Sequence, residues 1–297
     1  MLDITRLRVL ACVARLGSVT AAARELRYAQ PSVSHHLARL EAETGTRLLQ
    51  RVGRGVRLTV AGQLLAERAE EILGRLDAAE AELAEHTGLR AGRVRLAAFP
   101  AALGTFVPRA AAASAAAHPE VELRFVEAEP PEAIGMLRAG EVEVALISEY
   151  PDAPSPAGDG LRRTSLLVEP IHLVTPLGVA SQGRDRLTDH ADGVWIAGCE
   201  VCEAHLVRQC ATAGFTPRIA FNTDDFVAVQ ALVAAGLAVS ALPALALAAH
   251  RNPAVEVAAL PGDERTVTAA LYGQPPDPPA TAALLAQLST AARQSPR

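Results

Sequence analysis

Along residues 4–16, "ITRLRVLACVARL", apolar side chains recur at Leu7, Leu10, Val13 and Ala14. That spacing predicts an amphipathic helix stopped by Gly17. Ser18 suits an N-cap for a short helix, "VTAAARELR", whose Ala21, Ala22 and Ala23 leave room for a close neighbour. After a turn through Tyr28 and Ala29, "QPSVSHHLARLEAE" predicts a third helix, with Pro31 in the first turn where its missing N–H costs nothing. Val33, Leu37 and Leu40 form its inward stripe, which leaves Ser32, Ser34, His35 and Arg39 on other faces. Alternation around Gly53 and Gly55 in "GTRLLQRVGRGVRLTVAG" predicts a two-stranded hairpin. From Val60 to about His86 there is no proline, and Leu65, Ala69, Ile72, Leu76, Ala79 and Leu83 alternate steps of four and three. That is the a/d repeat of a helix that pairs along one seam; a second copy is the expected partner, with packing onto the chain's own body as the alternative that the acidic opposite face disfavours.

Beyond this helix the period changes. "RVRLAAF", "VELRFVEA", "VEVALIS", "PIHLVTP", "GVWIAG", "RIAFNT", "LAVSALP", "VEVAAL" and "TVTAALYG" read as strands. Helical stretches at 103–117, 131–139, 203–213 and 225–235 separate many of them, which calls for open α/β sheets. The Pro/Gly-rich "EYPDAPSPAGDG" reads as a surface insertion. The most apolar run, "VAVQALVAAGLAVSALPALALAA", is broken by Gln230, Gly236 and Pro243 into helix, strand and turn, so no membrane span is expected. The N-terminus has no export-leader pattern, and a cytoplasmic location with reduced thiols is expected.

Charge sharpens the picture of the first 58 residues. All 28 basic residues are arginine, so every cationic contact is a planar guanidinium fork. Residues 1–58 carry ten Arg against four acids, a net +6, and residues 59–86 carry two Arg against seven acids, a net −5. A basic head on an acidic body is the footprint of a nucleic-acid reader. Two short helices, the second polar at its N-terminal end, fit a helix-turn-helix; periodicity alone leaves an ordinary helical hairpin open. In the former reading Gln30 pairs with adenine edges, Ser32 and Ser34 reach bases or phosphates, and Arg39 meets phosphate. Arg51, Arg54 and Arg57 crowd the hairpin as a wing against the backbone or minor groove.

The stretch "GSVTAAARELRYAQPSVSHHLARLEAETGTRLLQRVGRGVRLTVAGQLL" resembles the N-terminal domain of LysR-type transcriptional regulators. The match runs through Gly17-Ser18, Thr20, Ala22-Ala23, Leu26, Gln30-Pro31-Ser32-Val33-Ser34, Leu40-Glu41, Gly45, Leu48, Arg51, Arg54, Val56, Leu58-Thr59 and Ala61-Gly62. Leu49 departs from the family, which usually has phenylalanine at this packing position. The resemblance implies an α/β protein with a winged helix-turn-helix at 1–58, a dimerising linker helix at 59–88 and an effector-binding domain at 92–297. That domain would resemble type 2 periplasmic binding proteins: lobe one at about 92–162 and 267–297, lobe two at about 163–266, with crossings near 163 and 267. Ser18, Thr20, Pro31 and His35 join the expected DNA-facing set, and Leu65, Ala69, Ile72, Leu76 and Leu83 the dimer seam.

On that map an inter-lobe cleft takes a small effector at strand ends and helix N-termini. Phe99, Pro100, Ala101, Ser148, Gly198, Cys199, Val201, Cys202, Thr223 and Asp224 are its expected lining, with helix capping as the competing role. The expected partners are double-stranded DNA, a small-molecule effector, further copies as homodimer or homotetramer, and RNA polymerase; no cofactor and no membrane contact are expected. Three of the four cysteines fall in "AGCEVCEAHLVRQC". Three roles stay open for Cys199, Cys202 and Cys210: packing or pocket lining, a thiol switch, or a zinc site with His205. An enzyme or solute binder on the same α/β body has no nucleophile–base pair or phosphate loop behind it. A nucleoid organiser would bind DNA with little sequence preference. Effector identity, target genes and the sign of regulation do not follow from the sequence.

Overall fold

The computed structural model describes residues 2–52, 55–86, 92–151, 160–179, 186–273 and 275–295. They form two compact units.

In the N-terminal unit, α1 (Ile4–Leu16) is capped by Asp3, whose carboxylate accepts from the Arg6 N–H, and ends on a left-handed Gly17. Ser18 caps α2 (Val19–Glu25) by accepting from the Ala21 N–H at 3.3 Å, and α3 (Gln30–Thr44) follows with Pro31 in its first turn. Val33, Leu37 and Leu40 are buried with Leu7, Leu10, Val13, Ala22 and Ala23 in one core. The hairpin pairs β1 (Leu49–Val52) with β2 (Gly55–Leu58). Glu41 ties it to α3, accepting from the Leu48 and Leu49 N–H groups at 2.8 and 3.1 Å. Thr59 then caps α4 (Val60–His86): its hydroxyl donates to Arg47 O at 2.7 Å and accepts from the Gly62 N–H at 3.0 Å.

The expected a/d seam needs correction. Ala69 is fully buried in the head core beside Ala66, with Leu65 packed against the same cluster. The head is small and uses the first turns of α4 to complete its core, so those positions face the chain's own helices. Ile72 and Leu83 are 42% and 66% exposed. Leu76 is half-buried. The seam left for another surface starts near Ile72.

The second unit contains an eight-stranded sheet in the order β4-β3-β5-β10-β6-β9-β7-β8. Strands β3 (Arg93–Ala98), β4 (Glu122–Glu127) and β5 (Val144–Glu149) are parallel to one another, as are β7 (Val194–Ala197), β8 (Arg218–Asn222) and β9 (Val239–Pro243). Two long antiparallel strands, β6 (Leu161–Pro176) and β10 (Val255–Tyr272), join these halves. β10 pairs with β5 from Thr266 onward, and β6 pairs with β9 from Ile171 onward. The change of partners falls near Pro170 on β6, several residues beyond 163, and between Glu264 and Thr266 on β10, close to 267.

Three further differences from the sequence reading have physical reasons. "VEVAAL" and "TVTAALYG" are one strand, because Pro261-Gly262, a turn signal, forms a bulge between Ala259 and Glu264 with Gly262 left-handed. The 103–117 helix is two, α5 (Pro100–Leu103) and α6 (Phe106–Ala117), broken where Thr105 leaves helical geometry. Two alanine-rich helices, α10 (Ala244–Ala249) and α11 (Pro279–Arg293), follow prolines and carry little polar contrast to mark them. α7 (Pro130–Arg138), α8 (Glu200–Thr212) and α9 (Phe226–Ala234) match their stretches to within a few residues. Most of the loop "EYPDAPSPAGDG" lies outside the described residues.

Candidate functional site: an exposed recognition helix and an acidic cleft

In the head, the inward stripe of α3 turns its other faces to solvent. Gln30, Pro31, Ser32, Ser34, His35 and Arg39 are all exposed, as are Thr20 on α2 and Arg57 on β2. Gln30 Nε2 donates to Ser34 Oγ at 3.4 Å, one turn along, so the two polar groups stand side by side at the helix start. Ser18 is half-buried and engaged as the α2 cap. The Arg51 side chain and all of Arg54 lie outside the described residues. An exposed helix of small polar residues with Arg on its flank has the chemistry to read groove edges and phosphates.

In the second unit a cleft, partly open to solvent, is lined by both halves of the sheet. Of the ten residues expected there, Phe99, Pro100, Ala101, Gly198, Cys202, Thr223 and Asp224 line it. Three do not. Ser148 is buried within β5 opposite Val267, and Val201 sits in the first turn of α8, off the lining. Cys199 is the buried N-cap residue of α8, behind the wall. Asp225 rather than Asp224 caps α9, accepting from Val227 and Ala228 N–H, which leaves the Asp224 carboxylate for the cleft.

The sequence reading missed the groups that give the cleft its charge. Arg265 on β10 stands directly opposite Glu169 on β6, with Nε 2.9 Å from Oε1, and both are almost fully buried. The other Glu169 oxygen accepts from the Leu245 N–H at 2.7 Å. Arg265 also lies 5.0 Å above the Phe99 ring. Burial works against its charge, but Glu169, by charge and hydrogen bond, together with Tyr150 and Cys202, outweighs it and holds the guanidinium ionised. The bulge beside it aims Asp263 at His205, Oδ1 to Nε2 at 2.7 Å, and the His205 ring stacks on Tyr150 at 3.8 Å. The Tyr150 hydroxyl donates to Cys202 Sγ at 3.7 Å. "PGDER" gave no helical or strand period to reveal Asp263 and Arg265. Glu129 was hidden as an ordinary acid before a proline-led helix.

The thiols complete this wall. Cys199 Sγ donates to Cys202 Sγ at 3.1 Å. The donated hydrogen bond pushes the Cys199 thiol up, and the same bond pulls Cys202 down, with Arg265 and Tyr150 acting in the same sense. Burial, with Asp224 nearby, pushes Glu129 up to about 7. Ligand atoms of Glu129, Cys199 and Asp224 all lie within 4.8 Å of one another. Gly198 leaves room for this convergence: a Cβ there would stand 3.4 Å from Asp224 Oδ1 and 3.8 Å from Cys202 Sγ. Of the four residues named for the zinc alternative, two stand outside this arrangement. His205 is engaged by Asp263, and Cys210 is fully buried among Trp195, Leu206 and Leu173, where burial pushes its thiol up to about 11. A thiol switch through Cys210 is not favoured for the same reason. Cys12, the fourth cysteine, is buried in the head.

Both parts of this arrangement have known counterparts. A model of the bacterial regulatory helix-turn-helix protein, lysR family, matches residues 4–63, and one of the LysR substrate binding domain matches residues 87–293. The chain belongs to the LysR family of transcriptional regulators. Among LysR relatives it is 30% identical over 262 residues to an uncharacterized HTH-type transcriptional regulator YcgK of Bacillus subtilis, covering 80% of this chain and 79% of that protein. It is 30% identical over 243 residues to DgdR of Burkholderia cepacia, covering 80% and 76%. Against the probable regulator LrrA of Synechococcus elongatus the match, 33% identical, spans about half of each protein (49% and 50%). The crystal structure of CbnR, a LysR family transcriptional regulator, superposes with a TM-score of 0.65 at 23% identity over 98% of this chain and 99% of that one. A full-length OxyR variant from Pseudomonas aeruginosa gives 0.66 at 22% over 99% and 95%. At these identities the LysR structures speak to the fold. CbnR has also been crystallised with its target DNA. Among the described residues of this LysR chain, no helix is long and apolar enough to cross a membrane.

Proposed function

We propose that this LysR-family chain binds a specific, roughly palindromic DNA site through α3 and the hairpin, and that a small ligand in the cleft modulates that binding. The observation that carries the DNA reading is the exposed polar start of α3, Gln30 to Ser34, on a helix whose opposite face is locked into the head core. Gln30, Ser32 and Ser34 read bases, with Thr20, Pro31 and His35 beside them. Arg39, Arg51, Arg54 and Arg57 hold phosphates, and Ser18 positions α2. The division of labour is head 1–58, linker 59–88 and effector domain 92–297. The chain works in the cytoplasm as a homodimer or homotetramer, with RNA polymerase as a further partner, and the cleft binds its ligand without turning it over. The lining at Phe99, Pro100, Ala101, Gly198, Cys202, Thr223 and Asp224 is where the ligand sits, and its occupation changes how the two sheet halves meet at β6 and β10.

The test is fluorescence anisotropy on the DNA upstream of the chain's own gene, as a function of salt. Gln30→Ala is expected to cost about 1–3 kcal/mol on the preferred site and little on unrelated DNA. Arg39→Ala is expected to weaken binding to all sequences alike and to lower the salt slope by about 1. Equal losses for Gln30→Ala on every DNA would sink base readout by α3.

A further inference from the structure

The cleft is acidic as well as thiol-lined, and this selects a ligand class. Glu129, Asp224 and Asp263 line it; Asp263 is bonded to His205, and the lining guanidinium of Arg265 is bonded to Glu169. An anionic effector would meet the carboxyl groups of Glu129 and Asp224, and an arginine whose charge is already matched. A cation gains from the same inventory. At the wall of the cleft, Cys199 Sγ and oxygens of Glu129 and Asp224 lie within 4.8 Å of one another, and Cys202 Sγ stands beside this group, 3.1 Å from Cys199 Sγ.

We infer that the effector of this cleft is a thiophilic divalent cation of the zinc type, held by Cys199, Cys202, Glu129 and Asp224. This deepens the regulator reading above and rests on it for the word effector. Two thiolates with two carboxylates suit a four-coordinate ion with about 2.3 Å to sulfur and about 2.0–2.2 Å to oxygen. Hard cations such as Mg²⁺ or Ca²⁺ would leave both sulfurs unused. Loading exchanges the two S–H protons for the metal, so it releases protons and is favoured as pH rises. The site spans the structure as a clamp would. Glu129 precedes α7 in one half of the sheet, while Cys199, Cys202 and Asp224 follow β7 and β8 in the other. Drawing these groups onto one ion brings the halves together across β6 and β10. Tyr150 is the positioning residue for Cys202, through its 3.7 Å hydrogen bond.

The experiment uses the full chain, reduced and stripped with a chelator, then titrated with Co²⁺ as the spectroscopic probe and back-titrated with Zn²⁺. The expected result is a near-ultraviolet thiolate-to-cobalt charge-transfer band with intense tetrahedral visible bands, bleached by Zn²⁺. Cys199→Ser and Cys202→Ser should each lower the charge-transfer intensity by about half or more, and Cys12→Ala should keep it. Asp224→Asn sits on the exposed rim and tests the site without disturbing the core. It should weaken Co²⁺ affinity at least about 100-fold, the upper end of what losing even an outer-shell partner costs. No thiolate band in the wild type, or a band of undiminished intensity in both Cys199→Ser and Cys202→Ser, overturns the metal site. Anisotropy on operator DNA, run on the same samples with and without Zn²⁺, keeps the two readings apart. Specific DNA binding without a cobalt band removes the metal and leaves the regulator. A cobalt band without DNA binding does the reverse.

Discussion

His172 shows how one side chain sets a pH limit on the effector unit. It lies on β6 between Pro170 and Val174, half-buried, with Nδ1 buried and without a hydrogen-bond partner. Burial first, and the Arg251 charge next, hold its pKa below the ordinary 6.5; the nearby Glu169 charge and the backbone bond at Pro170 oppose them without prevailing. The sign follows from proton counting. As pH falls through about 6.5, the unfolded chain takes up a proton on this ring and the folded chain does not. Stability is therefore lost progressively below pH 6.5 and levels off only once pH is below the folded-state pKa. Thermal unfolding from pH 7.5 to 5 should show the second unit losing stability, and His172→Gln should flatten that slope. An unchanged slope in the variant would assign the acid sensitivity elsewhere. Little at this scale was legible beforehand. A glutamate opposite an arginine across two strands, or a histidine wedged beside them, has no local spacing, because register rather than sequence separation brings them together.

At the scale of elements, the sequence reading worked where one period ran unbroken and failed where punctuation was reused. The head helices, the hairpin and α4 follow directly from apolar spacing and caps. The Pro261-Gly262 pair reads as a turn, yet it became the bulge that aims Asp263 into the cleft. Alanine-rich α10 and α11 had too little contrast to be seen. Gly62 illustrates an element junction whose reason only the fold reveals. A Cβ there would stand 2.0 Å from the Leu48 carbonyl oxygen, where α4 begins against the wing. Gly62→Ala is expected to destabilise the head by about 1–3 kcal/mol, as overpacking does, with a lower melting midpoint for that unit. Gly135 on α7 has open space around it, so Gly135→Ala should raise the midpoint slightly, by about 0.5–1 kcal/mol of helix propensity. Equal effects from the two substitutions would contradict the close approach at Leu48.

For the whole molecule, the account depends on pairs of heads held at fixed spacing. The head core takes up Ala66 and Ala69 of α4, and leaves Ile72 and Leu83 exposed farther along. We therefore place the dimer contact on the later part of α4, a narrower seam than the heptad pattern implied. Two recognition helices related by a two-fold axis must contact half-sites about one helical turn, or a whole number of turns, apart. The most direct measurement is a footprint on the DNA upstream of the chain's own gene, with wild type and an Ile72→Glu/Leu83→Glu double variant. The account predicts two protected half-sites related by a dyad for the wild type, and for the variant a large loss of affinity with no linked protection of the halves. Uniform coverage without a dyad, or a paired footprint that survives in the variant, would contradict it.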